Sequence, residues 1–284
     1  MSKSQLGRIG LWSMELRYGD KHEAAEAAAE IEDLGFGALW IPGGIDDAVL
    51  SDVTALLSAT RHMTVATGIL NIWKHAPKDV AAWFDALAVS EKKRVMLGLG
   101  VSHGAIIGDA WNKPLAAIEA FLDGLDDSGM PRDNLCLAAL GPKMLALAGN
   151  RTAGAHPYLV TPEHTSSARK ILGADKLLAP EQGVILESDP RKARELAREA
   201  LKLYATLPNY TNNWLRLGFS RQEVDDISDG LVDALFAWGG MEKIVERVKA
   251  HHDAGADHVC LQVIHSDGIS GLRSACRELA GALI

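Results

Sequence analysis

Thr64-Val65-Ala66-Thr67-Gly68-Ile69-Leu70-Asn71-Ile72-Trp73 is a β-branched run that breaks at a glycine and continues into a polar, aromatic segment. The run reads as a strand, and a glycine inside a strand marks a bulge or a close approach of the backbone to another group. Asn71 and Trp73 supply an amide and a flat apolar surface on which a planar ring system can rest. A second reading stays open, in which Gly68 only bends the strand.

Working outward, further strand-like segments begin near Arg8, Ala38, Val95, Asn134, Gly154, Gly183 and His258. Helix-period segments lie between them, at 20–34, 52–59, 78–91, 114–125, 142–148, 162–172, 190–204 and 241–254. Pro114, Pro142, Pro162 and Pro190 each open such a segment, where a missing N–H costs nothing. Near-continuously apolar strands alternating with helices are buried on both faces, as parallel strands are. Eight such units predict a single α/β domain over residues 1–284, a closed (β/α)8 TIM barrel. The segment from about 205 to 238 breaks the rhythm and reads as a helical insertion before the last strand, suited to a lid or a dimer contact. Asp33 to Leu39 and Asp253 to Val259 repeat the order helix end, glycine, short turn, strand, as turns at the bottom of a barrel do.

Composition narrows the function. A net charge of −8 with mixed signs, a pI near 5.7 and a mean hydropathy of +0.02 disfavour a nucleic-acid or membrane-surface role. Residues 1–7 carry no apolar leader segment and no apolar run reaches spanning length, so the expected location is cytoplasmic. Cys136, Cys260 and Cys276 match neither a disulfide framework nor a zinc site, and His251, His252 and His258 fall on the stability face, so no metal is expected.

Barrel chemistry sits at the C-terminal ends of the strands, so the residues following each strand carry the information. Here they are Trp12, Ser13 and Glu15 after the first, Gly43-Gly44 after the second, and Asn71, Trp73 and His75 after the third. Gly100, Ser102 and His103 follow the fourth. Gly141-Pro142-Lys143-Met144 after the fifth combines a glycine, a helix start and a cation, a ready phosphate site, although Lys143 equally suits a solvated helix position. Trp12, Trp40, Trp73 and His75 are candidates to line a substrate cavity, each tryptophan being as compatible with core packing. Gly98 to Gly104 lacks the spacing and the place of a dinucleotide fingerprint, and no G-x-S-x-G elbow occurs.

The blocks GRIGLWS, ALWIPGG, VATGILNIWKHAP, LGLGVSHG, ALGPKMLALAGNRTAGAHPYLVTPEHT and AGADHVCLQV together resemble the bacterial luciferase-like superfamily, in particular its oxidoreductases dependent on the deazaflavin coenzyme F420. The resemblance implies a homodimeric barrel with the ring in its mouth and a non-prolyl cis peptide behind it at Gly68-Ile69. It implies a cofactor held by Gly68, Ile69, Asn71, Gly100, Ser102, His103 and the segment Gly141, Pro142, Lys143, Met144. Two departures stand out. Several deazaflavin enzymes of this family carry a histidine after strand two, where this chain has Gly43-Gly44, and its sugar-phosphate dehydrogenases carry a glutamate where this chain has His103. His103 is the candidate catalytic residue, as a proton-transfer group or as a hydrogen-bond partner of the cofactor. The same resemblance admits an FMN-dependent monooxygenase and a non-catalytic F420- or flavin-binding protein.

Overall fold

The computed structural model describes residues 6–44, 46–265 and 267–284; the leader reading of residues 1–5 lies outside them. Ten strands form one all-parallel sheet: β1 Ile9–Trp12, β2 Ala38–Ile41, β3 Thr64–Asn71, β4 Val95–Gly100, β5 Leu135–Leu137, β6 Gly154–Ala155, β7 Leu177–Leu178, β8 Glu181–Ile185, β9 Phe236–Trp238 and β10 Val259–Val263. Their order is β7-β6-β5-β4-β3-β2-β1-β10-β8-β9. The ends of that order meet within one chain segment, because β7 and β8 are two halves of a single stave interrupted at Ala179-Pro180. One edge of this stave donates to β6 and its loop, Ala179 N to Ala155 O at 2.9 Å and Glu181 N to Pro157 O at 2.8 Å. The other edge accepts from β10, Cys260 N to Pro180 O at 2.9 Å. The ring thereby closes with eight staves, as the sequence predicts, and β9 is an addition at the top of β8.

Strand alternation sorts the core into layers. Outward residues such as Leu11, Leu39, Val65, Leu97 and Leu261 pack against the helices. Inward residues are unequal in size: Ala38, Ala66, Cys136, Ala179 and Cys260 leave room for Trp40 and Met96. The prolines at 114, 142, 162 and 190 do open helices. The two predicted bottom turns are alike: Gly35 and Gly255 take φ of +96° and +104°, and Phe36 and Ala256 donate back five residues to Ile31 O and His251 O.

The insertion differs from expectation at its end. Helices Pro208–Arg216, Arg221–Asp225 and Asp229–Leu235 pack around buried Trp214, but residues 236–238 form β9, paired to β8. Among the described residues no helix is long and apolar enough to cross a membrane.

Candidate active site

β3 loses its register with β4 between Thr67 and Leu70, and the Gly68-Ile69 peptide bond is cis, at the place the resemblance implies. The irregularity sits at the mouth of the barrel and forms the wall shared by two lobes of one cleft. The deep lobe, about 260 Å³, is lined by Trp12, Gly68, Ile69, Asn71, His156 and Tyr158, with Met14, Tyr18 and Ile106 at its rim. The polar lobe, about 300 Å³, runs along Gly100 to His103 and Leu140, Gly141 and Met144 to Asn209, Asn212 and Arg216 of the insertion. Ile69, Ser102, His103, Ala138, Tyr158 and Tyr210 belong to both.

The space a Cβ on Gly68 would take is not open to a ligand. It lies 2.7 Å from Trp12 Nε1 and 3.0 Å from His156 Nε2, so Gly68 makes room for these two side chains rather than for a ring. Trp12 Nε1 donates to Gly68 O at 2.8 Å, which fixes the indole against the irregular turn. Asn71 is buried and its Oδ1 accepts from Trp73 N, which holds the strand top.

His103 caps the short helix 104–107 from the end of β4 and faces Tyr210 with ring centroids 5.6 Å apart. Burial holds its pKa below the usual imidazole value, and a hydrogen bond with Asn209 works in the other direction. Tyr210, Tyr204 and Tyr158 continue this contact as an aromatic chain over the cleft, with centroids 4.9 and 5.3 Å apart along it. Tyr158 Oη donates to Gln262 on β10 at 2.8 Å and ties the chain to the barrel.

His156 follows β6 and stacks on Trp40 with ring centroids 4.1 Å apart and planes inclined at 16°. Its Nδ1 lies 2.7 Å from Ala179 O, and its Nε2 has no partner. Burial pushes its pKa down to about 4. Glu181 faces the same interior, where its Oε2 accepts from Leu159 N at 3.0 Å, and burial pushes its carboxyl up to about 8.

Several sequence-predicted site residues lie elsewhere. Trp40 is fully buried one layer below the mouth, its Nε1 donating to His258 Nε2 at 3.1 Å, so it supports His156 rather than lining the cavity. Trp73 turns its N–H to Val101 O at 2.7 Å and packs on the outer core. His75 is half-buried outside both lobes. Pro142 and Lys143 point to solvent on the first turn of the helix Pro142–Arg151, and the cation beside Gly141 is Arg216, its Nη2 3.8 Å from where a Cβ on Gly141 would stand. Sequence reasoning missed Arg216, Asn209 and Asn212, which reach the cleft from the insertion, and His156 and Tyr158 at the top of the sixth stave.

The missing histidine after strand two has a steric cause. A side chain at Gly43 would run into the carbonyl of Ile69, and one at Gly44 into Tyr18 Oη and Arg17. Arg17 is buried beneath this loop, bonded to Pro42 O at 2.7 Å and to Asp52 at 3.0 Å.

A groove of about 600 Å³ lies outside the barrel, lined by Thr161 to Glu163, Asp233 to Trp238 and Lys243 to Ala250. Two of its charges are already engaged, Asp233 with Arg194 and Trp238, and Arg247 with the carbonyls of Asp233 and Ala234. The smaller cleft at the strand tops is therefore the candidate active site. Among the described residues no three His, Cys, Asp or Glu side chains are grouped to hold a metal.

Residues 8–127 match the sequence model of a family described as luciferase-like monooxygenase. No curated protein sequence matches the chain. A solved F420-dependent secondary alcohol dehydrogenase, in complex with an F420-acetone adduct, superposes with a TM-score of 0.73 at 16% identity over 97% of this chain and 98% of that one. The coenzyme F420 dependent tetrahydromethanopterin reductase from Methanopyrus kandleri superposes at 0.75, with 16% identity over 97% of each chain. The oxygenating constituent of 3,6-diketocamphane monooxygenase from Pseudomonas putida, in complex with FMN, superposes at 0.70, with 13% identity over 98% of each chain. The luciferase-like resemblance and the TIM-barrel architecture read from the sequence both hold.

Proposed function

From a luciferase-like barrel as the starting point, we propose that this chain is an oxidoreductase that binds coenzyme F420 and exchanges hydride between it and a small, largely apolar organic substrate. The observation that carries the reading is the unlike chemistry of the two joined lobes. One presents a guanidinium, two amides and a helix start; the other is lined chiefly by aromatic rings. A molecule with a flat ring and an anionic tail fits that pair.

In this reading Arg216, Asn209, Asn212, Ser102 and the backbone from Gly141 to Met144 hold the phosphate-bearing tail. Ile69, Gly100, Asn71 and Ala138 bed the ring against the irregular top of β3. The bound deazaflavin supplies two-electron hydride chemistry. The chain's own part is to orient, to exclude water and to move a proton. Tyr158, Tyr204 and Tyr210 stay neutral because burial raises their pKa, so they present a dry wall. His103, neutral near pH 7 and held by Asn209, is the group placed to exchange the proton that accompanies hydride transfer. Met14, Tyr18 and Ile106 are large, exposed and apolar at the rim, which favours an apolar substrate. A homodimer belongs to the same reading.

Side-by-side fluorescence titrations with F420 and FMN test it, with F420 expected to bind more tightly. Preference for FMN would move the chain to the monooxygenase reading, and binding of neither would remove both. His103→Ala is expected to lower turnover by ~10²–10⁴-fold with little change in cofactor affinity. Preserved saturated turnover with weakened binding would leave His103 a cofactor contact only.

A further inference from the structure

Of the buried polar atoms facing the cleft, His156 Nε2 is the one whose chemistry is fixed from behind. Nδ1 stands 2.7 Å from the carbonyl oxygen of Ala179, an atom that can only accept, so Nδ1 carries the proton. Nε2 is then a bare lone pair. Turning the ring over would break the Nδ1–H bond to Ala179 O, and tilting it is opposed by the stack on Trp40, which is itself held by His258. His258 is held in the same way, its Nδ1 2.9 Å from Gly7 O, so its own Nε2 is free to accept from Trp40. The indole of Trp12, which shares the lobe, spends its N–H on Gly68 O. His156 is 2% exposed, lines the deep lobe, and its Nε2 has no partner. A buried acceptor without a donor is destabilising, a cost that a ligand donor removes.

We propose that His156 Nε2 is an acceptor subsite of the deep lobe, reached when a molecule seats there, which recognises an O–H or N–H on the edge of that molecule. Trp12, Ile69 and Tyr158 give that molecule an apolar bed, and the acceptor gives it one polar requirement: it must present a donor. The subsite selects an alcohol, a phenol or an imide-like ring edge over an isostere that can only accept. The inference rests on the cleft being the ligand site, and it leaves open which molecule brings the donor, the ring of the cofactor or the hydroxyl of the substrate.

The test uses His156→Asn, whose amide can keep the donor to Ala179 O while the Nε2 acceptor is lost, with thermal unfolding to confirm that the variant folds. First, ¹⁵N-histidine NMR of the cofactor-free protein is recorded with phenol and with fluorobenzene, similar in size but differing in the donor. The Nε2 resonance of His156 is expected to move with phenol and not with fluorobenzene. Equal response to both probes, or no response to either, overturns the proposal, whatever the cofactor titrations show. Second, wild type and His156→Asn are titrated with F420 and FMN. A loss of about tenfold in the variant assigns the donor to the cofactor ring. Unchanged cofactor affinity, with loss of the wild-type preference for a secondary alcohol over its ketone in equilibrium binding to the loaded protein, assigns it to the substrate. If neither affinity nor that preference changes, the acceptor is not used and the proposal fails.

Discussion

Strands β1 to β4 run for four to eight residues, whereas β5 and β6 have three and two, the seventh stave is split at Ala179-Pro180 into β7 of two residues and β8 of five, and β10 again has five. The two halves of the barrel contribute differently to the cleft. The first half supplies shape: backbone carbonyls and glycines packed so closely that the tops of β2, β3 and β4 touch through main chain. The second half supplies most of the polar side chains: His156, Tyr158, Asn209, Asn212 and Arg216 come from loops and from the inserted helix, to meet Ser102 and His103 from the top of β4. Loops and an insertion leave side chains free to differ, while the close main-chain packing at the tops of β2, β3 and β4 fixes where a flat ligand can lie.

The sharpest test of this contrast is a single methyl group in each half. Gly43→Ala places a Cβ on the Ile69 carbonyl and close to Leu70, both backbone, so neither can swing away. A loss of stability on the order of 3 kcal/mol is expected. Gly141→Ala meets only the far end of Arg216, at 3.8 Å, and should cost no more than about 1 kcal/mol as a poorer helix cap. Urea unfolding of both variants checks this, and equal losses would show that the halves are equally tolerant.

Legibility from sequence follows the same division. The eight staves could be read because apolar runs alternate with proline-started helices, and because 33–39 and 253–259 repeat one turn. β7 and β9 were not legible, since strands of two or three residues carry no period and Pro180 argues against a strand. Trp40 went astray because alternation says which side chains face the barrel axis but not their height along it. Arg216 and Asn209 lie on an insertion whose docking no local pattern states, so the sequence points to the nearer Lys143 as the cation. His156 had a signal: the strand-end rule applied to Gly154-Ala155-His156-Pro157-Tyr158 points to it directly.

Buried charge gives the next largest effect. The folded pKa of Glu181, about 8, exceeds the ordinary value of 4.5, so its contribution to stability is full below pH 4.5 and is lost as pH rises through about 8. Histidines 156, 258 and 251 run the other way, at about 4, 4 and 3, and their contribution is lost only as pH falls below about 6.5. Between pH 7 and 9 the histidines are silent and Glu181 is not. Glu181→Gln keeps an acceptor for Leu159 N and cannot ionise. Its stability relative to wild type should rise by about 1 kcal/mol between pH 7 and 9 and level off above about 8. Parallel stability curves over that range would mean that the carboxyl is not buried in solution.

Cofactor affinity separates the halves on a smaller scale. Arg216→Ala should weaken F420 or FMN binding about tenfold at low salt, the value of one partly exposed charged hydrogen bond. Lys143→Ala should leave it unchanged, since Lys143 is exposed outside the cleft. The reverse pattern would return the phosphate to the helix start of the fifth stave.

The smallest expected effect lies where the two halves touch across the cleft. His103 comes from the end of β4, and Asn209 comes from the inserted helix Pro208–Arg216. Burial lowers the His103 pKa, and the hydrogen bond with Asn209 raises it again in part. Removing the amide leaves the burial in place, so Asn209→Ala should lower the His103 pKa further. The change is expected to be small, being that of one neutral hydrogen bond. NMR titration of the His103 ring reads this directly without any ligand. If His103 carries the proton, the acidic limb of the turnover profile should move down by the same amount in Asn209→Ala, with the fold and the basic limb unaffected. A shift in the NMR titration without one in the turnover profile would keep the contact between the halves and take His103 out of the proton path.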